Sequence, residues 1–308
     1  MALVFGAVAL GFTPIFVRLT ETGPVAAGFW RLALALPLLA PFAFYFRAPD
    51  GGGKLNRVIV LAGVFFALDL AFWHYGITFT SVVNATVLAN LTPIVVTIAG
   101  WWMFRERPAR AFLIGLAMGL AGVLIITLAH NSNVAPGRNP ALGDALALAT
   151  TVWYAGYFLA VRKARGTHGA WAIMFWSSLV GTVLLSVAMV GLGEDITPET
   201  LGGWVACLGL AVVHVSGQGA IAWALGKLPT ATASVVVLIQ PVVAGLLGWM
   251  LFAETVVAMQ VAGAALALTG VAVAQWASAR NEGLRPGMKR APIPLETGAR
   301  ECPRRPDA

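Results

Sequence analysis

Two stretches of the chain, 148 residues apart, spell nearly the same thing. Thr80–Glu106 reads TSVVNATVLANLTPIVVTIAGWWMFRE and Leu228–Glu254 reads LPTATASVVVLIQPVVAGLLGWMLFAE. Aligned without a gap, 8 of the 27 positions are identical: Ala85/Ala233, Val87/Val235, Pro93/Pro241, Val95/Val243, Gly100/Gly248, Trp101/Trp249, Phe104/Phe252 and Glu106/Glu254. The register persists downstream, where Gly115 falls on Gly263 and Gly122 on Gly270. A self-match at one fixed offset marks an internal repeat, so the chain folds as two related halves.

Each copy is an apolar run interrupted by a polar residue and a proline, Thr92-Pro93 and Gln240-Pro241. Proline has no N–H and clashes with the carbonyl four residues back, which frees the Ala89 and Val237 carbonyls. In hydrocarbon a free carbonyl must be buried in protein or line a wet cavity. Paired breaks at matching places in two halves point to a carrier's site at the membrane midplane.

Composition fixes the class. Hydrophobic residues make up 59% and charged residues 11% of the 308, and the mean hydropathy is +0.82, outside soluble globular usage. The net charge of +7 does not indicate nucleic acid, because the basic residues sit in short clusters between apolar spans. Cys207 and Cys302 have no ligand-like spacing, so neither a disulfide framework nor a metal site is expected. The first apolar run has no basic segment before it and no small-residue cleavage site after it, which reads as a membrane helix rather than a signal peptide.

Apolar windows of about 20 residues cross a bilayer. Ten are found: Ala2–Leu19, Pro24–Phe46, Val58–Thr78, Val82–Phe104, Phe112–Ala129, Leu142–Val161, Ala170–Gly191, Gly203–Leu225, Ala231–Phe252 and Val257–Ala277. With the amino terminus in the cytoplasm, 17 of the 20 Lys and Arg fall on the inner side; Arg18 and Arg138 lie outside and Arg31 within a span. The positive-inside rule then predicts that both termini are cytoplasmic and that the acidic loop Glu194, Asp195, Glu199 is outside. A bacterial inner (plasma) membrane is the expected location.

A unit of five spans ends on the opposite side from where it began, so the second copy enters upside down. The expected fold is an all-α integral membrane protein of ten transmembrane helices in two inverted five-helix repeats. Residues 1–129 form the first and 142–279 the second, joined by 130–141. The proline-rich basic tail 280–308 cannot bury enough apolar surface to fold and is expected to be disordered. GxxxG at Gly115 and Gly119, echoed by Gly263 and Ala267, predicts close packing of spans five and ten.

The pattern LxxLxPxxxxxxGWxxFxE over Leu88–Glu106, its variant over Val236–Glu254, FWRLALALPLL around Trp30-Arg31, and the glycine-rich GLAMGLAGVLII and GAALALTGVAVA carry a resemblance. From Ala2 to Ser278 the chain resembles the EamA family of the drug/metabolite transporter superfamily. The resemblance implies ten helices around a central cavity and alternating access without ATP, and no GxxxxGK[ST] phosphate loop occurs. It carries no glutamate in the first helix, unlike the superfamily's small cation exporters, and only one intramembrane basic residue, unlike its phosphate-sugar exchangers.

Ionisable groups at depth mark function by default. Arg31 lies about 10 Å and Asp69 about 14 Å below the outer ends of their spans at helical rise, so they are placed to meet. Two readings stay open: a structural ion pair, or a site in which Arg31 forks onto a substrate carboxylate and Asp69 carries a proton. His74 reads as interfacial. His214, four residues from Gln218 on one face of span eight, reads either as a helix–helix hydrogen bond or as cavity lining. Asn84, Asn90, Thr92 and Gln240 belong to the broken helices and suit a polar or zwitterionic cargo. Trp153 and Tyr157, at i and i+4 in span six, are candidates to close the cavity. The candidate substrate-binding set is therefore Arg31, Asp69, Asn90, Thr92, Trp153, Tyr157, His214 and Gln240, with Pro93 and Pro241 as the helix breaks.

An intramembrane enzyme is not supported: HExxH and GxSxG are absent, and His214 and Ser216 point to different faces of one helix. The expected function is a secondary carrier, an exporter of small polar metabolites such as amino acids. It needs no cofactor; its partners are a small-molecule substrate, the lipid bilayer and protons, as a monomer or homodimer. The alternatives are a facilitator or uptake carrier of other solutes, or a scaffold or sensor without flux.

Overall fold

The computed structural model describes residues 1–45, 55–80, 85, 88–105, 107–129, 139–252 and 257–283. Expectations for Asn84, for most of the 130–141 connection and for the tail beyond Gly283 fall outside the described residues.

Every regular element among the described residues is helical: α1 (Ala2–Leu10), α2 (Thr13–Leu19), α3 (Pro24–Ala33), α4 (Ala35–Tyr45), α5 (Arg57–Phe79), α6 (Thr92–Phe104), α7 (Arg110–Ala129), α8 (Pro140–Ala164), α9 (Ala170–Leu192), α10 (Leu201–Val213), a π-helical turn (His214–Gln218), α11 (Gly219–Leu225), α12 (Thr230–Val236), α13 (Ile239–Phe252) and α14 (Ala258–Gly283). Helix starts follow local chemistry. The Asn56, Asn139 and Thr200 side chains accept from the amides of Ile59, Leu142 and Gly203, satisfying donors that a first turn leaves free.

The interruptions follow one rule. α1 ends at Leu10, α3 at Ala33 and α12 at Val236. A proline ring clashes with the carbonyl four residues earlier and breaks a helix at each of these places, whereas Pro41 sits inside α4 without ending it. Pro14 addresses Leu10, Pro37 addresses Ala33, Pro93 addresses Ala89 and Pro241 addresses Val237. Two of these breaks, in the first and second spans, were not expected from the sequence, although the same rule covers them. The π-helical turn at His214–Gln218 contains no proline, and no sequence signal marks it.

Among the described residues, eight segments are long and apolar enough to cross a membrane: Ala2–Leu19, Pro24–Phe44, Arg57–Gly76, Pro140–Ala164, Ala170–Leu192, Leu201–Leu225, Thr230–Leu251 and Ala258–Arg280. Within the described residues of the expected windows Val82–Phe104 and Phe112–Ala129 lie the apolar stretches Thr92–Phe104 and Arg110–Ile126. A turn at Asn90-Leu91 precedes Pro93 in the first of these.

Three of the repeat's matched pairs share environments. Ala85 and Ala233 are buried, Gly100 and Gly248 are buried, and Trp101 and Trp249 are exposed, where amphipathic rings suit a membrane–water boundary. α7 packs along α14, and α5 along α8. The α7–α14 seam is made by small residues, as GxxxG predicts: a Cβ on Gly115 would stand 2.5 Å from the Ala274 nitrogen, and one on Gly122 would collide with the Ala267 backbone. With lipid tails as apolar as the side chains, such close backbone approach drives association. Gly122→Val is expected to separate the two helices at a cost of about 1–3 kcal/mol or more. The check is thermal unfolding by size-exclusion chromatography, in which the variant loses its monodisperse peak several degrees below the parent; an unchanged profile would show that the seam tolerates bulk.

Candidate functional site

Five segments converge on a polar cluster inside the bundle. α3 brings Arg31, α5 brings Phe66 and Asp69, α8 brings Tyr154 and Tyr157, α9 brings Met174 and Ser178, and the π-turn brings His214 and Gln218. Arg31, Asp69, Tyr157, Ser178, His214 and Gln218 are each at most 9% exposed, which charged and amide groups almost never are without a partner or a purpose.

Phe66 is the platform. The Arg31 guanidinium carbon lies 5.6 Å from its ring centroid, the Tyr157 ring lies at 4.7 Å and the His214 imidazole stacks at 5.3 Å. A cation over an aromatic face is stabilised by the ring quadrupole. His214 Nε2 and Ser178 Oγ are hydrogen-bonded at 2.9 Å, and the Tyr157 hydroxyl donates to Met174 Sδ at 3.5 Å. Tyr154 and Tyr157 lie parallel at 6.1 Å, and the Gln218 amide faces both hydroxyls. Arg31 and Asp69 act on each other through their charges, and Tyr154 and Tyr157 stand within the field of both.

The cluster holds spare hydrogen-bonding capacity. Arg31 Nε, His214 Nδ1 and Gln218 Nε2 are buried without a protein partner. A buried polar atom left unpaired costs about 1–3 kcal/mol, so three of them in one cluster mark a place that water or a polar ligand satisfies. His74, five residues along α5 from Asp69, is 3% exposed with both ring nitrogens unpartnered. It is buried, not the interfacial residue its position near the span end predicted, because Trp73 and the α3 backbone at Gly28 cover it.

The structure thus gathers Arg31, Asp69, Tyr157 and His214. The other candidates stand elsewhere. Trp153 stacks on Phe65 at 6.2 Å and meets Phe72 edge-on, while Tyr154 takes the place beside Tyr157. Asn90, Thr92 and Pro93 form the break before α6, and Gln240 and Pro241 open α13, with Gln240 Nε2 unpartnered. The carbonyls at these breaks are not left for cargo. Thr92 Oγ1 donates to Ala89 O at 2.7 Å and Thr151 Oγ1 to Leu88 O at 2.6 Å, while Val237 O accepts from the Gln240 amide at 2.9 Å. Hydroxyls and a tightened turn do what a straight helix would otherwise do. Sequence reasoning missed Phe66 and Ser178. The Ser177-Ser178 pair in an apolar span was a signal; Phe66 left none.

Residues 1–128 and 141–275, nearly the whole chain in two blocks, match the EamA-like transporter family. The chain belongs to that family. Among its EamA relatives, an uncharacterized transporter of Archaeoglobus fulgidus is 26% identical over 274 residues, covering 89% of this chain and 94% of the relative. The pseudopaline exporter CntI of Pseudomonas aeruginosa is 25% identical over 242 residues, covering 77% and 81%. A solved structure superposes with a TM-score of 0.76 at 17% identity, over 90% of this chain and 98% of the other, a likeness of fold. Family and apolar helices together make this EamA protein an integral membrane transporter rather than an enzyme.

Proposed function

We propose that this EamA protein is a secondary carrier that exports small polar metabolites, amino acids among them, by alternating access. One observation carries the reading: two opposite charges, Arg31 and Asp69, buried among apolar helices in a cluster with three unpartnered nitrogens. Arg31 suits a cargo carboxylate, and Asp69 suits a cargo ammonium or a coupled proton. The exporter name of one relative fits the outward direction.

The helix contacts support an inverted pair of five-span halves. Span two packs on span seven, four on nine and five on ten, each with its own equivalent, and span three on six is matched by span eight on one. A twofold axis in the membrane plane generates this pattern and brings the two halves together at mid-depth. The charge asymmetry supports cytoplasmic termini, with Glu194 outside and Arg165 inside.

Purified protein in liposomes tests the carrier. Counterflow of labelled amino acids and small organic solutes, run with and without an imposed pH gradient, should reveal a saturable flux; no flux with any polar solute would overturn it. In intact cells, an impermeant thiol reagent should label Glu194→Cys but not Arg165→Cys in a chain freed of Cys207 and Cys302. The reverse pattern would invert the topology.

A further inference from the structure

The loop after α9 does more than mark a side of the membrane. Gly193, with φ +65, ends α9 in the left-handed conformation that glycine adopts freely. The Glu194 amide then returns to the Met189 carbonyl at 3.1 Å, and the Glu194 side chain is aimed across the bundle. Its carboxylate accepts from the amides of Val25 at 3.2 Å and Ala26 at 2.9 Å. These are free donors of the first turn of α3, where Pro24 has no N–H and Gly23 has no side chain to cap with. The same carboxylate accepts from the Tyr75 hydroxyl of α5 at 2.5 Å.

Neighbouring bonds cross the same seam. The Gly23 amide donates to Asp195 O at 2.9 Å and the Trp30 indole to Ile196 O at 2.6 Å. In return Glu21, a non-glycine residue at φ 58, accepts from the Thr200 amide at 3.0 Å and hydroxyl at 2.9 Å, at the start of α10. Two carboxylates from two loops therefore cap each other's helices. Of the two carboxylates, Glu194 bonds to both helices that carry the charges: Arg31 follows Ala26 by five residues on α3, and Asp69 precedes Tyr75 by six on α5.

We propose that Glu194 is the latch of this carrier: it closes the bundle at its own end and, through α3 and α5, positions Arg31 against Asp69. The proposal rests on the carrier reading for its purpose, but not for its test. Opening at that end must part α3, α5 and the α9–α10 loop, and all three bonds to Glu194 break together. Each freed group then meets water, so the net loss is small, as a contact made to break and re-form requires. A latch built from buried apolar surface would not be reversible in this way. Because the same two helices bear the pair, release of the latch alters the Arg31–Asp69 separation on the same stroke.

The experiment reads closure without any substrate. Gly28 lies on α3 between the latch and Arg31, and a Cβ there makes ordinary contact, 3.5 Å from Leu185 and Leu70. Gly28→Cys, in a chain lacking Cys207 and Cys302, is exposed in intact cells to an impermeant maleimide. Glu194→Ala should raise the labelling rate about tenfold, the effect of losing charge-assisted bonds, with Glu194→Gln and Tyr75→Phe intermediate. In liposomes the same variants should change the KM for flux, since the pair is no longer held. An unchanged labelling rate in monodisperse Glu194→Ala overturns the latch, whatever the flux. Should Glu194→Ala not fold, Tyr75→Phe removes one hydroxyl only, and an unchanged rate there overturns it equally. If labelling accelerates while no solute is carried by the parent protein, the latch stands and the carrier reading falls.

Discussion

Asp69→Asn is expected to remove the response of transport to an imposed pH gradient while downhill flux of the same solute continues. Asp69 stands at mid-length in α5, nearly buried, with Arg31 as its charged neighbour. The other helical carboxylates among the described residues lie at helix ends rather than in the cluster: Glu282 in the last turn of α14, and Asp144 in the first turns of α8, where it accepts from the Thr80 hydroxyl at 2.6 Å. A carboxylate-borne proton inside the bundle therefore falls to Asp69. Carrying one proton per cycle lets a gradient of one pH unit support up to about tenfold accumulation, since one unit is worth about 1.4 kcal/mol. Asparagine keeps the shape and the hydrogen bonding but cannot ionise, so accumulation should fall to none. Proteoliposomes loaded at one pH and diluted into another measure it directly. Full gradient-driven accumulation by Asp69→Asn would make the pair structural, and the carrier a facilitator or one driven by another ion.

What could be read from the sequence divides along physical lines. Proline placement is local chemistry, so the breaks at Pro93 and Pro241 were legible; the same rule would have given those at Pro14 and Pro37, but also one at Pro41, through which α4 runs unbroken. The fate of the freed carbonyls was not, because it depends on which hydroxyl stands nearby. Thr92 is adjacent in sequence, but Thr151 comes from another helix. The seam of α7 and α14 was legible because glycine at a four-residue spacing has one strong use in a membrane. Depth along a span was legible by counting, which placed Arg31 and Asp69 at similar levels.

Rotation about a span was not legible. A helix apolar on all sides carries no amphipathic stripe to say which face turns inward: Trp153 was grouped with Tyr157, whereas it is Tyr154 that stacks on Tyr157 while Trp153 packs on Phe65 and Phe72. Phe66 looks like any other phenylalanine until Arg31, Tyr157 and His214 are seen around it. Glu194 shows the same limit for loops: its charge is visible in the sequence, whereas its capping of a helix that begins 170 residues earlier, at Pro24, is visible only in the fold.

Arg31 is expected to show the largest effects on both stability and flux, and a double variant separates the two. Arg31→Ala removes the cation that acts on buried Asp69, a loss of at most the ~3–5 kcal/mol of breaking a buried ion pair outright, so yield and thermal stability should drop. That drop alone says nothing about cargo. In Arg31→Ala/Asp69→Asn no charge is left to strand, and stability should return towards that of Asp69→Asn alone. Flux should not return, because a cargo carboxylate would lose its partner; truncating one side of a buried charge pair costs about 2–5 kcal/mol, or roughly 30-fold to several thousand-fold in affinity. Arg31→Lys keeps the charge but loses the planar fork and much of the stacking on Phe66, so it should fold well and carry poorly. Thermal shift and counterflow on the same preparations give both readouts. Recovery of stability and flux together in the double variant would reduce Arg31 to a counter-ion for Asp69, and cargo recognition would then pass to His214, Gln218 and the paired tyrosines.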